Sequence, residues 1–215
     1  MKLNEAKSSY MIFTRAQQEF RTRLTLNHTK VDHVHEARLL GLVITDNLKW
    51  DSNTEDICKR AYARISMITK LKYVGVNRDE LVDIYCLFVR SLLEYCSVVW
   101  HSRLTLEQMV DIERVQKTSM KIILGEQYST YDAALKLCNL KTLKHCRERR
   151  CLNLGLKAIK HPKHCNLFPP SIPDEHYLRI TEKFHVNYAR TTTYKKSSIP
   201  FIQRLLNDHA RKRRR

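Results

Sequence analysis

Glycine and proline are scarce. Four glycines and five prolines in 215 residues supply too few tight turns for a sandwich or barrel, so the expectation shifts to helices joined by short polar connections. The shortage also removes a phosphate-cradling glycine-rich loop and a nucleophile elbow from consideration. No apolar run approaches the roughly 20 residues that span a bilayer, and no basic-then-apolar leader opens the sequence. The seven cysteines are an odd number, and several stand in apolar stretches with helical spacing. A disulfide framework is therefore not expected, and a reducing, intracellular compartment is.

Acidic residues are sparse in the C-terminal third. Residues 141–215 carry 5 acidic and 19 basic side chains, against 17 and 20 in residues 1–140, so most of the net charge of +17 is C-terminal. A surplus this concentrated points to a polyanionic partner, because neutralising phosphates releases condensed counterions. With 43% hydrophobic residues the chain can still bury a core.

The apolar pattern changes period along the chain. Residues 9–14 and 39–45 are short runs rich in strand formers and read as buried strands, and Asp46-Asn47 reads as a turn. From Asp51 the period becomes helical. Ile57, Ala61, Ile65, Ile68 and Leu71 predict a helix over about 54–73, with Asp51, Ser52, Asn53 and Thr54 as N-cap candidates. Asn77 and Glu80 approximate a capping box for a central helix reaching about Trp100, and Thr105 with Gln108 opens a third that Gly125 closes. A short fourth runs from Thr130 to about Asn139. Thr142 caps a fifth, with Leu143, Cys146, Leu154 and Ile159 inward and Lys144, Arg147, Arg149 and Arg150 outward, stopped by His161-Pro162. Pro169-Pro170-Ser171-Ile172-Pro173 reads as an extended linker. Residues 174–207 show no sustained periodicity, and Arg211-Lys212-Arg213-Arg214-Arg215 is a bare charge run, for which nuclear import is one reading.

Two blocks carry a family resemblance. Leu3-Asn4, Lys7-Ser8, Met11 and Phe13 match a Leu-Asn-x-x-Lys-Ser/Thr-x-x-Met-x-Phe strand, and Leu39-Leu40-Gly41-Leu42, Ile44, Leu48 and Trp50 match the hairpin that follows it. The strand resembles the late palm motif of reverse transcriptases of non-LTR (LINE-type, jockey-like) retrotransposons, and the hairpin resembles their primer grip. Thr45 stands where the family usually has Asp. Ile57 with Cys58-Lys59-Arg60-Ala61 resembles the next stretch, and residues 91–100 resemble a Ser-x-Leu-x-Tyr-Cys-x-x-Val-Trp signature. Ile112-Glu113-Arg114-Val115-Gln116-Lys117 with Ile122-Ile123-Leu124-Gly125 resembles the stretch after it. Five blocks keep the family's order across roughly residues 2–155.

Pattern and resemblance together give a mainly α chain: a small palm remnant and primer-grip hairpin over 1–50 and a helical thumb-like bundle over 51–168, with the proline run and the charge adding a poorly ordered basic extension over 169–215. Leu40, Gly41 and Leu42 would approach the primer, since glycine admits close backbone contact. Lys59, Arg60 and Arg64, with Arg147, Arg149 and Arg150, would grip the phosphate backbones of RNA and DNA. Lys7 corresponds to the family lysine proposed to protonate departing pyrophosphate. An intact polymerase would hold two Mg ions on converging carboxylates. The family's catalytic Tyr/Phe-Ala-Asp-Asp turn precedes the first block and would fall upstream of Leu3, so no autonomous polymerisation is expected.

Other sites compete. Glu55-Asp56 and Asp79-Glu80 are explained by helix first turns, where carboxylates complement the dipole. The third acidic pair is Asp174-Glu175. Cys146, Cys151, His161, His164 and Cys165 invite zinc but lack the close C-x2-4-C pair of structural sites, and read instead as core cysteines and surface histidines. A helical protein-interaction module derived from such an element, or a decayed reading frame, are the alternatives.

Overall fold

The computed structural model describes residues 4, 7–14, 23–171, 182–186 and 188–212. Within these limits the chain is mainly helical, with a few short sheets. Leu3, Glu5 and Ala6 of the first block, the Asp174-Glu175 pair and Arg213-Arg214-Arg215 lie outside the described residues. The chain divides into two compact units, 1–57 and 58–215, and the boundary falls within a continuous helix.

In the first unit, three two-stranded sheets form among the described residues. β1 (Ser9–Tyr10) pairs in parallel with β4 (Asp32–His33), and β2 (Thr25–Leu26) pairs with β3 (Thr29–Lys30). β5 (Glu36–Leu39) and β6 (Leu42–Thr45) make an antiparallel hairpin in which Leu39 faces Leu42 and Glu36 faces Thr45. The buried strand expected over residues 9–14 shrinks to two residues, with Phe13 56% exposed. Two-residue pairings offer no broad face to pack against. The run 39–45 is likewise not one strand: Leu40-Gly41 turns it back.

Leu42, Val43 and Trp50 supply the buried apolar residues of this unit's hairpin and the turn after it. Asp46-Asn47 does form the turn, with the Asn47 side chain accepting from the Lys49 N–H at 2.8 Å. His35 Nδ1 lies 2.6 Å from the Asp46 carboxylate, and that hydrogen bond holds the Asp46 carboxyl below its ordinary range. α1 (Asp51–Tyr73) starts three residues before the expected boundary, so the cap candidates form its first turn. Asn53 there accepts the Val43 N–H at 3.1 Å, and Arg38 grips Asp56 at 2.8 Å, so the hairpin is tied to the start of α1.

The second unit contains the rest of α1, α2 (Arg78–Ile84), α3 (Ser91–Glu94), α4 (Ser97–Trp100), α5 (Leu106–Leu124), α6 (Tyr131–Leu137), α7 (Leu143–Lys160), α8 (Thr192–Lys195) and α9 (Ser198–Lys212). The caps read from sequence operate. Asn77 accepts from the Glu80 N–H, Thr105 and Gln108 make a reciprocal capping box, and Thr130 and Thr142 cap α6 and α7. Gly125 ends α5 at φ +57°.

The expected continuous helix to Trp100 is interrupted twice. Residues Tyr85–Arg90 widen into a π-helical turn, and Cys96 takes a left-handed conformation at φ +47°. The turn leaves Leu87 and Phe88 exposed while Tyr85, Val89 and Leu93 are buried. After the Cys96 reversal, Trp100 is wholly buried, and its indole N–H donates to the Tyr95 carbonyl freed by the break, at 3.0 Å. No glycine or proline marks either break, which is why periodicity passes over them.

A buried polar relay joins the helices. Gln116, with no exposed surface, accepts from the Tyr85 hydroxyl at 2.7 Å and donates to Tyr131 at 2.7 Å and to the Lys141 carbonyl at 3.1 Å. Tyr131 donates to Glu113, whose carboxylate also accepts the Leu143 N–H at 3.1 Å, so an acid supports the N-terminus of α7. Every hydrogen-bonding atom of the Gln116 amide is engaged, as burial requires.

The basic extension expected over 169–215 is corrected in its helical part. α9 is amphipathic and places Ile202 and Leu206 in a cluster with Cys151, Phe168 and Phe184. It packs on α7 at Gly155, where an added Cβ would lie 2.5 Å from Ile202 Cγ2. Asn207 accepts the Lys183 and Phe184 N–H groups at 3.1 and 2.8 Å and donates to the Phe184 carbonyl at 3.0 Å. Pro200 sits in the first turn, where its missing N–H costs nothing.

Candidate nucleic-acid interface

The three hairpin residues singled out from sequence occupy different environments. Leu40 and Gly41 have φ of +48° and +84°, the pair of positive values that a type I′ turn requires. Leu40 stands 82% exposed at the tip with Leu39 59% exposed beside it, whereas Leu42 is buried at 6%. Leu42 is therefore a core residue, buried together with Val43 at the start of β6. Lys7 is exposed in a single turn before β1, where its N–H donates to the Asn4 carbonyl at 3.2 Å.

Along α1, Lys59 is exposed, Arg60 is half-buried, and Arg64 donates to the Phe88 carbonyl in the π-helical turn. That guanidinium serves a main-chain acceptor of the widened turn while remaining exposed, so Lys59 and Arg64 keep the exposed role expected of the cluster and Arg60 does not.

On α7 the expectation for Arg147 is overturned. Leu143, Arg147, Cys151 and Gly155 recur every four residues and form the buried seam, while Leu154, expected inward, is 44% exposed. Arg147 has no exposed surface; its guanidinium lies 5.7 Å from the Trp100 ring and donates to His101 Nδ1 at 3.2 Å. Arg150 is diverted as well. Its Nε and Nη2 bind Glu94 at 2.9 and 2.6 Å, and Glu94, 5% exposed, also accepts from Arg90 at 2.8 Å. Arg149 remains exposed.

The buried Arg147 controls His101. Burial, then the Arg147 charge, pushes the His101 pKa down to about 3. A folded value below the ordinary 6.5 means the unfolded chain takes up the proton first, so this stability is complete above pH 6.5 and drains away as pH falls toward 3. Between pH 7 and 5 the wild type should lose about 2 kcal/mol more than His101→Gln. Urea midpoints at the two pH values measure the difference; equal acid losses would contradict it.

Five of the thiols are held away from nucleophilic character. All seven cysteines are free. Burial pushes Cys58 and Cys151 up to about 11 and raises Cys86, Cys138 and Cys146, so these five carry little thiolate at neutral pH.

The zinc candidates do not converge. Cys146 accepts from Arg90 at 2.6 Å, Cys151 is in the apolar cluster, His161 and His164 stack at 4.6 Å, and Cys165 Sγ donates to the Pro162 carbonyl at 3.3 Å. Among the described residues no group of three His, Cys, Asp or Glu is arranged to hold a metal ion. Of the described acidic pairs, Asp56 is engaged by Arg38 and Asp79 by Arg78. Among the described residues no helix is long and apolar enough to cross a membrane.

One arrangement escaped the reading from sequence. Lys117 Nζ lies 5.1 Å from the centre of the Tyr131 ring and Lys121 Nζ 5.6 Å from that of Tyr128. The spacings Lys117-x3-Lys121 and Tyr128-x2-Tyr131 were legible, but the facing of the two segments is a tertiary fact. No family model, curated protein or solved structure matches the chain.

Proposed function

We propose that this chain is the palm-end, primer-grip and thumb-like portion of a LINE-type retrotransposon reverse transcriptase, and that it holds RNA and DNA mainly through their backbones. The observation that carries the reading is Leu40. A branched apolar residue in left-handed backbone at 82% exposure is unfavourable twice, in conformation and in hydration, and such local violations concentrate where a partner is met. In the family that the sequence resembles, this hairpin holds the primer's 3′ end. The five ordered blocks and the C-terminal charge excess support the same reading.

The test separates stability from binding. Leu40→Asn creates Asn-Gly, the preferred pair for a type I′ turn, and should stabilise the hairpin by about 0.5–1 kcal/mol. The same change removes the apolar tip, so affinity for an RNA–DNA primer-template should fall about tenfold. Wild-type binding should be micromolar at moderate salt and weaken steeply as salt rises. Unchanged hybrid affinity in Leu40→Asn would exclude the hairpin as a grip, and wild-type binding insensitive to salt would exclude backbone recognition.

A further inference from the structure

We propose that the two lysine–tyrosine pairs between α5 and the segment 128–131 form a phosphodiester-binding ladder, with Lys117 and Lys121 addressing phosphates of one nucleic-acid strand. The inference rests on the nucleic-acid reading above and places its contacts on a helix that the sequence pattern did not select.

The chemistry of the two rungs is the same. Both lysines are exposed, and each ammonium is held over a tyrosine ring, at 5.1 and 5.6 Å. Among the described residues no carboxylate pairs with either lysine. Of the acids close in sequence, Asp111 binds Arg114 at 2.7 Å, and Glu113 accepts from the Tyr131 hydroxyl of the lower rung and from the α7 N-terminus without pairing with Lys117. Glu126 and Asp132 flank the tyrosines in sequence.

A ring beneath an ammonium attracts it without neutralising it, so the charge remains available to an anion. Tyr131 is itself fixed through Gln116 and Glu113, which orders the lower rung before any ligand arrives. The four-residue step along α5 is about 6 Å. One strand of a duplex carries a charge roughly every 3.4 Å of axis, so two ammoniums at this step reach phosphates of the same strand. Basic side chains interleaved with aromatic ones are the pattern of a surface that tracks a nucleic-acid backbone.

The experiment compares variants of the full chain by fluorescence anisotropy on an RNA–DNA hybrid over a salt series. Lys117→Gln with Lys121→Gln should lower the slope of log affinity against log salt by roughly two, near one per lost phosphate contact. Lys117→Arg with Lys121→Arg should retain the wild-type slope. Lys70→Gln with Lys136→Gln, exposed lysines outside the basic C-terminal region and the same change in net charge, should leave it unaltered, and circular dichroism should report intact helices throughout. Wild-type binding with an unaltered slope in the α5 pair, or an equal drop in the control pair, would overturn the ladder while leaving the function in place. Absence of wild-type binding would overturn both.

Discussion

Gly155→Leu should cost at least 3 kcal/mol and lower the thermal midpoint by about 6–12 °C for a chain of this size. The reason is a helix crossing with no room for a side chain. A Cβ at Gly155 would meet Ile202 Cγ2 at 2.5 Å and Leu206 Cδ1 at 3.1 Å, both below ordinary contact. Leucine can be accommodated only if α9 lifts from α7, which would expose Ile202, Leu206, Phe168 and Phe184 together. Each such side chain contributes about 1.5–3 kcal/mol when buried. Hydrogen exchange should show the amides of residues 198–212 losing protection before those of α5. Gly155→Ala should be milder, since alanine gains about 1 kcal/mol of helix propensity that offsets part of the clash. Ile202→Ala should cost less in the Gly155→Ala background than in the wild type, because the two changes share one contact. An unchanged melting curve for Gly155→Leu would show that the helices do not cross there.

Gln116→Leu should be the second large effect, at about 3 kcal/mol. Leucine matches the amide in bulk but withdraws the partner of the Tyr85 hydroxyl and of the Lys141 carbonyl. Each buried group left without a partner costs about 1–3 kcal/mol. Tyr85 has no exposed surface, and its hydroxyl, raised well above the ordinary tyrosine range by burial, cannot relieve the loss by ionising. Tyr131 keeps its bond to Glu113 and limits the damage. The double variant Tyr85→Phe, Gln116→Leu should therefore be more stable than Gln116→Leu alone, as no orphaned hydroxyl remains. Chemical denaturation of Gln116→Leu, Tyr85→Phe and the double variant decides it, and additive losses would mean that the relay is not coupled.

Gln116 and Trp100 show how motif residues acquire physical meaning. Gln116 belongs to a stretch that resembles the family pattern, and its place in the structure is a buried relay joining α5, α6 and the start of α7. Trp100 ends another such stretch and caps a carbonyl freed at the Cys96 reversal. Neither touches the exposed cations, so these residues are accounted for by packing and hydrogen bonding alone.

The basic residues divide less evenly than their spacing suggests. Lys59 and Arg149 are exposed, as expected. Arg64 is exposed too and keeps its charge while donating to a carbonyl, whereas Arg150 is spent on a buried carboxylate and Arg147 is inside the bundle. Net charge counts all of them alike, whereas only the exposed and uncompensated ones offer a free cation to phosphates.

The amino-acid sequence by itself determined the helical class, the caps at Asn77, Thr105, Thr130 and Thr142, the stops at Gly125 and His161-Pro162, and the turn at Asp46-Asn47. All of these depend on interactions within a few residues of chain, which a local pattern records. Only the tertiary structure decided that Arg147 turns inward, that the helix before Trp100 breaks at Cys96, that α9 docks at Gly155, and that two lysines meet two tyrosines. Each of those depends on what stands opposite, and a partner tens of residues away leaves no mark on local periodicity.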